Sequence, residues 1–379
     1  MGIRKLKKFI TEAPSLHSTL VDTTCESACV VIDGMSLFYS LAKNIIRKGV
    51  PCMFSYPEVR KEVFKFMDYL TAKNIVVKCV CLDALFDPDK ISEYGKRVYE
   101  RGQDIQVAWN SYFRHRPYET LTFTTSIMII QAIEEYSHGS VVFKTGGVDP
   151  DRDVARYCLQ YDAYAVTNDS DFFVYKIPGV IDLDDLLSAY QNETLTLVQK
   201  SVRVYTLSRI LDHYKLNYEQ YLFCLITKGN DFVPTTLVSQ ALVGKNHGYQ
   251  FRGLFVDVKR KMPSDKREDF ALLYEKCNNN RRKLNAHTYL HVAEKYDVKR
   301  YPENPLCFFG DDILTTNFAL SESIIQTLLK LQSPYTSAQL NVIFNNFYVL
   351  PPLYLSGIRK NVIKYTEKCL HAFSELITV

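Results

Sequence analysis

The stretch Ala165-Val-Thr-Asn-Asp-Ser-Asp-Phe-Phe-Val-Tyr175 sets a short apolar run against two carboxylates, Asp169 and Asp171, one residue apart, and then resumes an apolar run. The first run is too short for a helix and is bounded by turn residues, so it reads as a buried strand. In open α/β sheets, sites form beyond the carboxyl ends of the strands. Two acids held together there need something positive beside them, and a hard divalent cation with oxygen ligands meets that need. An Asp-rich solvated turn is the alternative reading of the same residues.

The pattern recurs outward from this stretch. Cys29-Val-Val-Ile-Asp33 and Val77-Lys-Cys-Val-Cys-Leu-Asp83 are apolar runs that end in an acid, and Val141-Val-Phe-Lys-Thr145 leads into Gly146-Gly-Val-Asp149-Pro-Asp151. Acids placed after successive parallel strands converge on one end of a sheet. The pattern therefore predicts an acidic cluster that binds metal. Asp149, Pro150, Asp151 and Asp153 also suit the start of a helix, with Asp149 as N-cap and Pro150 in the first turn, so helix-start chemistry accounts for them equally.

The chain of 379 residues is long enough for two domains, or for one domain with a large appendage. Its formal charge is +4 and unevenly spread. Residues 2–232 hold 27 Lys/Arg against 29 Asp/Glu, and residues 233–379 hold 19 against 13. A basic C-terminal part suits a polyanion partner or simply a solvated surface. Ten cysteines without a CxxC pair point to reduced thiols and an intracellular setting rather than a disulfide framework or zinc. His287 and His291 lack the Glu of a zinc-protease helix and read as one surface face. No myristoylation signal, apolar leader or run near the roughly 18 apolar residues of a membrane helix is present, so no membrane role is expected.

Helices are expected over 2–11, 34–47, 57–72, 87–101, 123–136, 149–160, 205–214, 218–226, 321–332 and 336–347, from apolar spacing and caps. The 87–101 segment carries Lys90, Lys96, Arg97 and Arg101, with Lys90 and Arg97 two turns apart on one face. Lys228-Gly-Asn-Asp231-Phe-Val-Pro234 is a polar turn with a further acid, and a domain boundary falls near Pro234. Beyond it lie the basic stretches Lys259 to Arg267 and Arg281-Arg282-Lys283, flanking Asn278-Asn-Asn, which reads as a loop.

These residues resemble the flap-endonuclease (XPG-like) PIN-domain nucleases, and within that superfamily the asteroid branch. The resemblance rests on Met1-Gly-Ile, Val30-Val-Ile-Asp33-Gly, Cys81-Leu-Asp83, Asp149-Pro-Asp151, Thr167-Asn-Asp169-Ser-Asp171 and Gly229-Asn-Asp231, and covers about the first 235 residues. It implies an α/β fold: a PIN-like parallel sheet flanked by helices over 1–235, a helical arch or cap at about 87–137, and a mainly helical C-terminal region over 236–379. It implies two Mg²⁺ or Mn²⁺ ions held by Asp33, Asp83, Asp149, Asp151, Asp169, Asp171 and Asp231. Lys90 and Arg97 match catalytic positions beside the scissile phosphate. Gly2, Tyr39, Arg101, Arg281, Arg282 and Lys283 are candidate nucleic-acid contacts. Tyr39 reads either as a stacking platform for a terminal base or as a core aromatic beside Phe38 and Leu41. The family's Glu-x-Glu is Asp149-Pro-Asp151 here, and Val233-Pro-Thr-Thr lacks its Gly-rich duplex-gripping turn, so duplex recognition must differ.

The expected activity is metal-dependent, structure-specific hydrolysis of DNA phosphodiesters at branches, flaps or ends, in nuclear DNA repair. A PIN-fold scaffold or RNA-binding regulator without catalysis is the main rival. A haloacid-dehalogenase-type phosphatase would need Asp-x-Asp after the first strand, where this chain has Asp33-Gly-Met35.

Overall fold

The computed structural model describes residues 3, 5–47, 56–82, 123–145, 150–192, 199–230, 251–277 and 285–298. The chain divides into two compact units. The first comprises Met1–Leu37, Phe66–Cys81 and Asp151–Tyr301, and the second Phe38–Lys65, Leu82–Pro150 and Pro302–Val379. Expected helices at 87–101, 321–332 and 336–347 lie outside the described residues.

The first unit is built on a mixed sheet. Its strands are β1 (Ser18–Asp22), β2 (Ala28–Asp33), β3 (Ile75–Leu82), β5 (Tyr164–Thr167), β6 (Val180–Asp182) and β7 (Ser201–Tyr205), in the order β1-β7-β6-β5-β2-β3. β4 (Val142–Thr145) belongs to the second unit. The central strands β3, β2, β5 and β6 run parallel. Val30, Val31, Ile32, Ala165, Val166, Val180 and Ile181 are all buried there, as expected for strands covered on both faces. The expected parallel sheet is this central part. β7 and β1 extend it antiparallel. The helix expected over 205–214 is present over Leu207–Tyr214, and β7, which the sequence reading did not include, precedes it. In Ser201-Val-Arg-Val-Tyr205 the buried Val202 and Val204 alternate with exposed Arg203, a half-buried pattern too short to outweigh the helix that follows.

Helices α1 (Leu6–Thr11), α2 (Pro14–His17), α3 (Gly34–Arg47), α4 (Tyr56–Ala72), α5 (Phe123–Ser137) and α6 (Pro150–Tyr161) precede β5. α7 (Leu183–Asn192), α8 (Leu207–Tyr214), α9 (Tyr218–Lys228), α10 (Phe251–Lys261), α11 (Arg267–Cys277) and α12 (Ala286–Lys295) follow it. A capping box starts α9: Asn217 Oδ1 accepts from Gln220 N–H at 2.8 Å, and Gln220 Oε1 accepts from Asn217 N–H at 3.0 Å. Every residue of α9 from Gln220 to Lys228 is buried, which makes it the centre of a helical layer. Aromatic pairs join it to α10 (Tyr221 with Phe255, 5.7 Å), α11 (Phe223 with Phe270, 5.1 Å) and α12 (Phe223 with Tyr289, 5.8 Å). Residues 251–261, 267–277 and 286–295 are thus helical and packed. Their buried residues fall at helical spacing: Phe251, Leu254, Phe255 and Val258 in α10, Phe270, Ala271 and Tyr274 in α11, and Tyr289, Val292 and Ala293 in α12.

In the second unit, Glu135 of α5 accepts from Arg60 Nε of α4 at 2.7 Å and from the Tyr56 hydroxyl. The Arg60 guanidinium lies 4.1 Å from the Phe64 ring centre, a cation–π contact. Phe64 in turn meets Tyr136 edge-on at 5.3 Å.

Candidate metal and nuclease site

Strand register lines acids along the carboxyl edge of the sheet. Ile32 pairs with Val166 between β2 and β5, and Thr167 pairs with Asp182 between β5 and β6. One residue beyond Ile32, Asp33 comes beside Thr167, whose hydroxyl donates to Asp33 Oδ2 at 2.7 Å. Asp33 also starts α3: Ser36 N–H donates to Oδ1 at 3.1 Å, and the Ser36 hydroxyl to Oδ2 at 2.6 Å. This is N-cap geometry, which leaves the carboxylate at the positive end of a helix. Burial pushes the Asp33 carboxyl above its ordinary range; its three hydrogen bonds oppose that, and neighbouring Asp169 adds to it.

The stretch Asn168 to Phe173 turns sharply. Asp169 accepts from Asp171 N–H at 3.0 Å and so caps a 3₁₀ turn over Ser170–Phe173. Asp169 N–H donates to the Thr167 hydroxyl at 3.0 Å. Thr167 therefore bridges Asp33 to the Asp169–Asp171 turn. The second apolar run of this stretch is that turn, with Phe172 and Phe173 buried, not a further strand. Asp171 is buried as well. Its Oδ1 accepts from Ile3 N–H at 2.8 Å and its Oδ2 from the Tyr296 hydroxyl at 3.2 Å. The Tyr296 oxygen accepts in turn from Asn230 Nδ2 at 3.1 Å. Burial, and then Asp171, push the Tyr296 phenol well above its ordinary range, so it stays protonated and donates.

Asp182 repeats the arrangement one strand over: its carboxylate accepts from Asp184 N–H at 2.8 Å at the start of α7. Lys7 of α1 reaches Asp182 at 2.9 Å, Asp184 at 2.7 Å and Asn168 Oδ1 at 2.8 Å. Burial works against the Lys7 charge, but Asp182 and Asp184 outweigh it and raise its pKa. A cleft of about 440 Å³ opens here, lined by Lys5, Lys7, Lys8, Asn168, Ser170 and Asp184, among others.

The structure brings Asp33, Asp169 and Asp171 to one edge, linked through Thr167 and the 3₁₀ turn. Asp151 stands in the first turn of α6. Asp153, in the same first turn, pairs with Arg156 at 3.1 Å. Tyr39 is 41% exposed while Phe38 and Leu41 are buried, so it is no core aromatic. Asp83, Asp149, Asp231, Lys90, Arg97, Gly2, Arg101, Arg281, Arg282 and Lys283 lie outside the described residues. His287 and His291 stack at 6.5 Å on an exposed face of α12. Ser36, Thr167, Lys7, Asn230 and Tyr296 did not stand out in the sequence. Ser36 and Thr167 sit within three residues of a flagged acid, whereas nothing local signals Tyr296.

The donors at this edge are all oxygen, the set hard divalent cations take. A buried acid with a second acid near it is also the situation a cation relieves. Among the described residues, no three His, Cys, Asp or Glu side chains approach closely enough to hold a metal ion by themselves. Nor, among those residues, is any helix long and apolar enough to cross a membrane.

No protein-family model and no curated protein matches the chain. Solved structures are similar at low identity. The catalytic core of Rad2 in complex with DNA substrate is 12% identical, with 86% of this chain and 99% of that chain covered and a TM-score of 0.44. Human GEN1 in complex with Holliday junction DNA is 12% identical, with 95% and 81% covered and a TM-score of 0.45. The bacteriophage T5 flap endonuclease, in a pseudo-enzyme–product complex with DNA and metal ions, is 11% identical, with 80% and 98% covered and a TM-score of 0.40.

Proposed function

We propose that this chain is a metal-dependent nuclease of the flap-endonuclease superfamily, asteroid branch, that hydrolyses DNA phosphodiesters at branches, flaps or ends and serves nuclear DNA repair. The observation that carries the reading is the carboxyl edge itself. Asp33 of β2 and the Asp169–Asp171 turn of β5 are joined through the Thr167 hydroxyl, in a donor set made only of oxygen. In this reading Asp83, Asp149, Asp151 and Asp231 complete the site. When bound, two Mg²⁺ or Mn²⁺ ions would supply an activated water and offset charge on the phosphoryl oxygens. Thr167 and Ser36 hold the Asp33 carboxylate in one orientation. The Asp169 carboxylate, by capping the 3₁₀ turn, holds the backbone that carries Asp171. Lys90 and Arg97 are assigned to the scissile phosphate, where a positive group stabilises charge that builds in the transition state.

The test is cleavage of flap, overhang and hairpin DNA by the purified chain with Mg²⁺, Mn²⁺, Ca²⁺ or EDTA. Cutting is expected with Mg²⁺ or Mn²⁺, and binding without cutting with Ca²⁺. Full activity in EDTA would sink the metal-dependent reading. A second reading, a PIN-fold protein that binds nucleic acid without cutting it, is favoured by one observation: both Asp171 oxygens already accept hydrogen bonds from the chain. Tight DNA or RNA binding with no cleavage in either metal would select it.

A further inference from the structure

The cleft of about 440 Å³ beside α1 has no part in the reaction set out above. Its volume lies in the range of small-ligand sites. Three lysines, Lys5, Lys7 and Lys8, line it against one carboxylate, Asp184. Lys7 and Asp184 are spent on each other and on their neighbours. The Lys7 ammonium has three N–H groups, and Asp182, Asp184 and Asn168 Oδ1 lie 2.9, 2.7 and 2.8 Å from its nitrogen. Asp184 also accepts from Asn168 Nδ2 at 3.1 Å. Two positive charges, those of Lys5 and Lys8, are left over. Lys8 meets Glu12 at 3.7 Å with both side chains largely exposed, a pairing of little worth in water. Lys5 is exposed and has no ion-pair partner among the described residues.

Lys5 also holds a strained backbone, with φ at 66° in the left-handed region, which favours glycine. Its neighbours enforce this. Ile3 N–H donates to Asp171 Oδ1 at 2.8 Å, and the Ile3 carbonyl accepts from the Ser170 hydroxyl at 3.0 Å and from Leu6 N–H at 3.1 Å. A cation is thus kept on the cleft wall at a position where glycine would relieve the strain, and such positions cluster at ligand clamps. Lys228, at the end of α9, feels it: burial lowers the Lys228 pKa, Cys224 opposes that, and Lys5 adds to it. Crowded cations are relieved by an anion among them.

We propose that this cleft is a phosphate-binding site, in which Lys5 and Lys8 hold a phosphate group of a nucleic-acid strand beside the acid turn. Lysine binds phosphate as a point charge, and a nucleic-acid strand carries such a charge at every step of its backbone. Asn168 and Ser170 of the cleft wall flank Asp169, so the occupant is a neighbour of the carboxyl edge. The site rests on the reading above only for its ligand, nucleic acid, and it needs no metal.

The experiment is fluorescence anisotropy of single-stranded oligonucleotides, 5′-phosphorylated or 5′-hydroxyl, with the full chain in EDTA. Lys5→Gly suits the left-handed backbone, so it removes the charge and keeps the fold, as melting will show. Lys5→Gly and Lys8→Gln are each expected to bind about tenfold more weakly than the wild type and to flatten log K against log salt by about 0.7 per lost contact. Lys200→Gln, an exposed lysine outside the cleft, is expected to bind as the wild type does. A loss confined to the 5′-phosphorylated strand supports the site with a terminal phosphate as its ligand, and an equal loss with both strands supports it with a backbone phosphodiester. Wild-type affinity in either cleft variant, or an equal loss in Lys200→Gln, overturns it. So does a wild type that binds neither strand, whether or not it binds inorganic phosphate. Should Lys5→Gly fail to fold, Lys8→Gln decides alone. Lysine-dependent binding without cutting in Mg²⁺ or Mn²⁺ overturns the nuclease reading and leaves the phosphate site standing.

Discussion

In the proposed nuclease reading the acids at the carboxyl edge would each do two jobs, and the substitutions that separate them differ. Asp33 is both an N-cap and a candidate ligand. Asp33→Asn keeps an oxygen for the Ser36 N–H and removes the charge, so folding should persist while cutting is lost. Asp33→Ala also removes the cap and should cost about 1 kcal/mol of stability, read by urea unfolding. Asp171→Asn should abolish cutting and leave DNA binding intact or slightly tighter, because one charge fewer repels the phosphate backbone less. Asn can still accept from Ile3 N–H, but its amide group cannot accept from the Tyr296 hydroxyl, so a loss of about 1 kcal/mol is expected. A folded Asp171→Asn protein that cuts at the wild-type rate, where the wild type needs metal, would show that Asp171 is only a structural tie.

At the scale of elements, α2 is pinned to α8 through a buried histidine. His17 Nδ1–H donates to the Ile10 carbonyl at 2.9 Å, and Nε2 accepts from the Tyr214 hydroxyl at 3.1 Å. His213 stands 5.5 Å away. Burial lowers the His17 pKa below its ordinary 6.5; the Ile10 bond opposes that, and His213 adds to it. The unfolded chain therefore takes up a proton more readily than the folded one. The stability His17 contributes is whole above pH 6.5 and falls away as pH drops through its lower folded value. Urea unfolding at pH 7.5 and 5.5 should show a larger acid loss for the wild type than for His17→Gln. Gly179 marks a second constraint: a Cβ there would meet Val204 Cγ1 and, at 3.1 Å, the Tyr205 carbonyl oxygen. Gly179→Ala should force β6 and β7 apart and cost about 1–3 kcal/mol, seen as a lower melting temperature.

For the whole molecule, the basic C-terminal part is the expected hold on the phosphate backbone. Replacing Arg281 and Lys283 by Ala should weaken DNA binding across sequences and flatten the dependence of log K on log salt by about one unit per lost phosphate contact. Unchanged slopes would make that stretch a solvated surface. The sequence by itself determined the repeated unit of strand, acid and helix: β2 with Asp33, β5 with Asp169 and α9 with its capping box are local, set by continuous apolar runs and by side chains that bond backbone within three residues. Tertiary structure decided what could not be local. β1 and β7 are strands because each pairs with the other, Ser18 with Tyr205 through Asp22 with Ser201; the half-buried alternation of β7 is too short to speak alone, and β1 has none. Asp33 meets Thr167 only through the register of two strands 134 residues apart. Tyr296 reaches Asp171 across 125 residues, because buried aromatic packing around α9 brings α12 to that end of the sheet. A hydrogen bond between distant segments leaves no periodicity in either, so only the folded chain contains it.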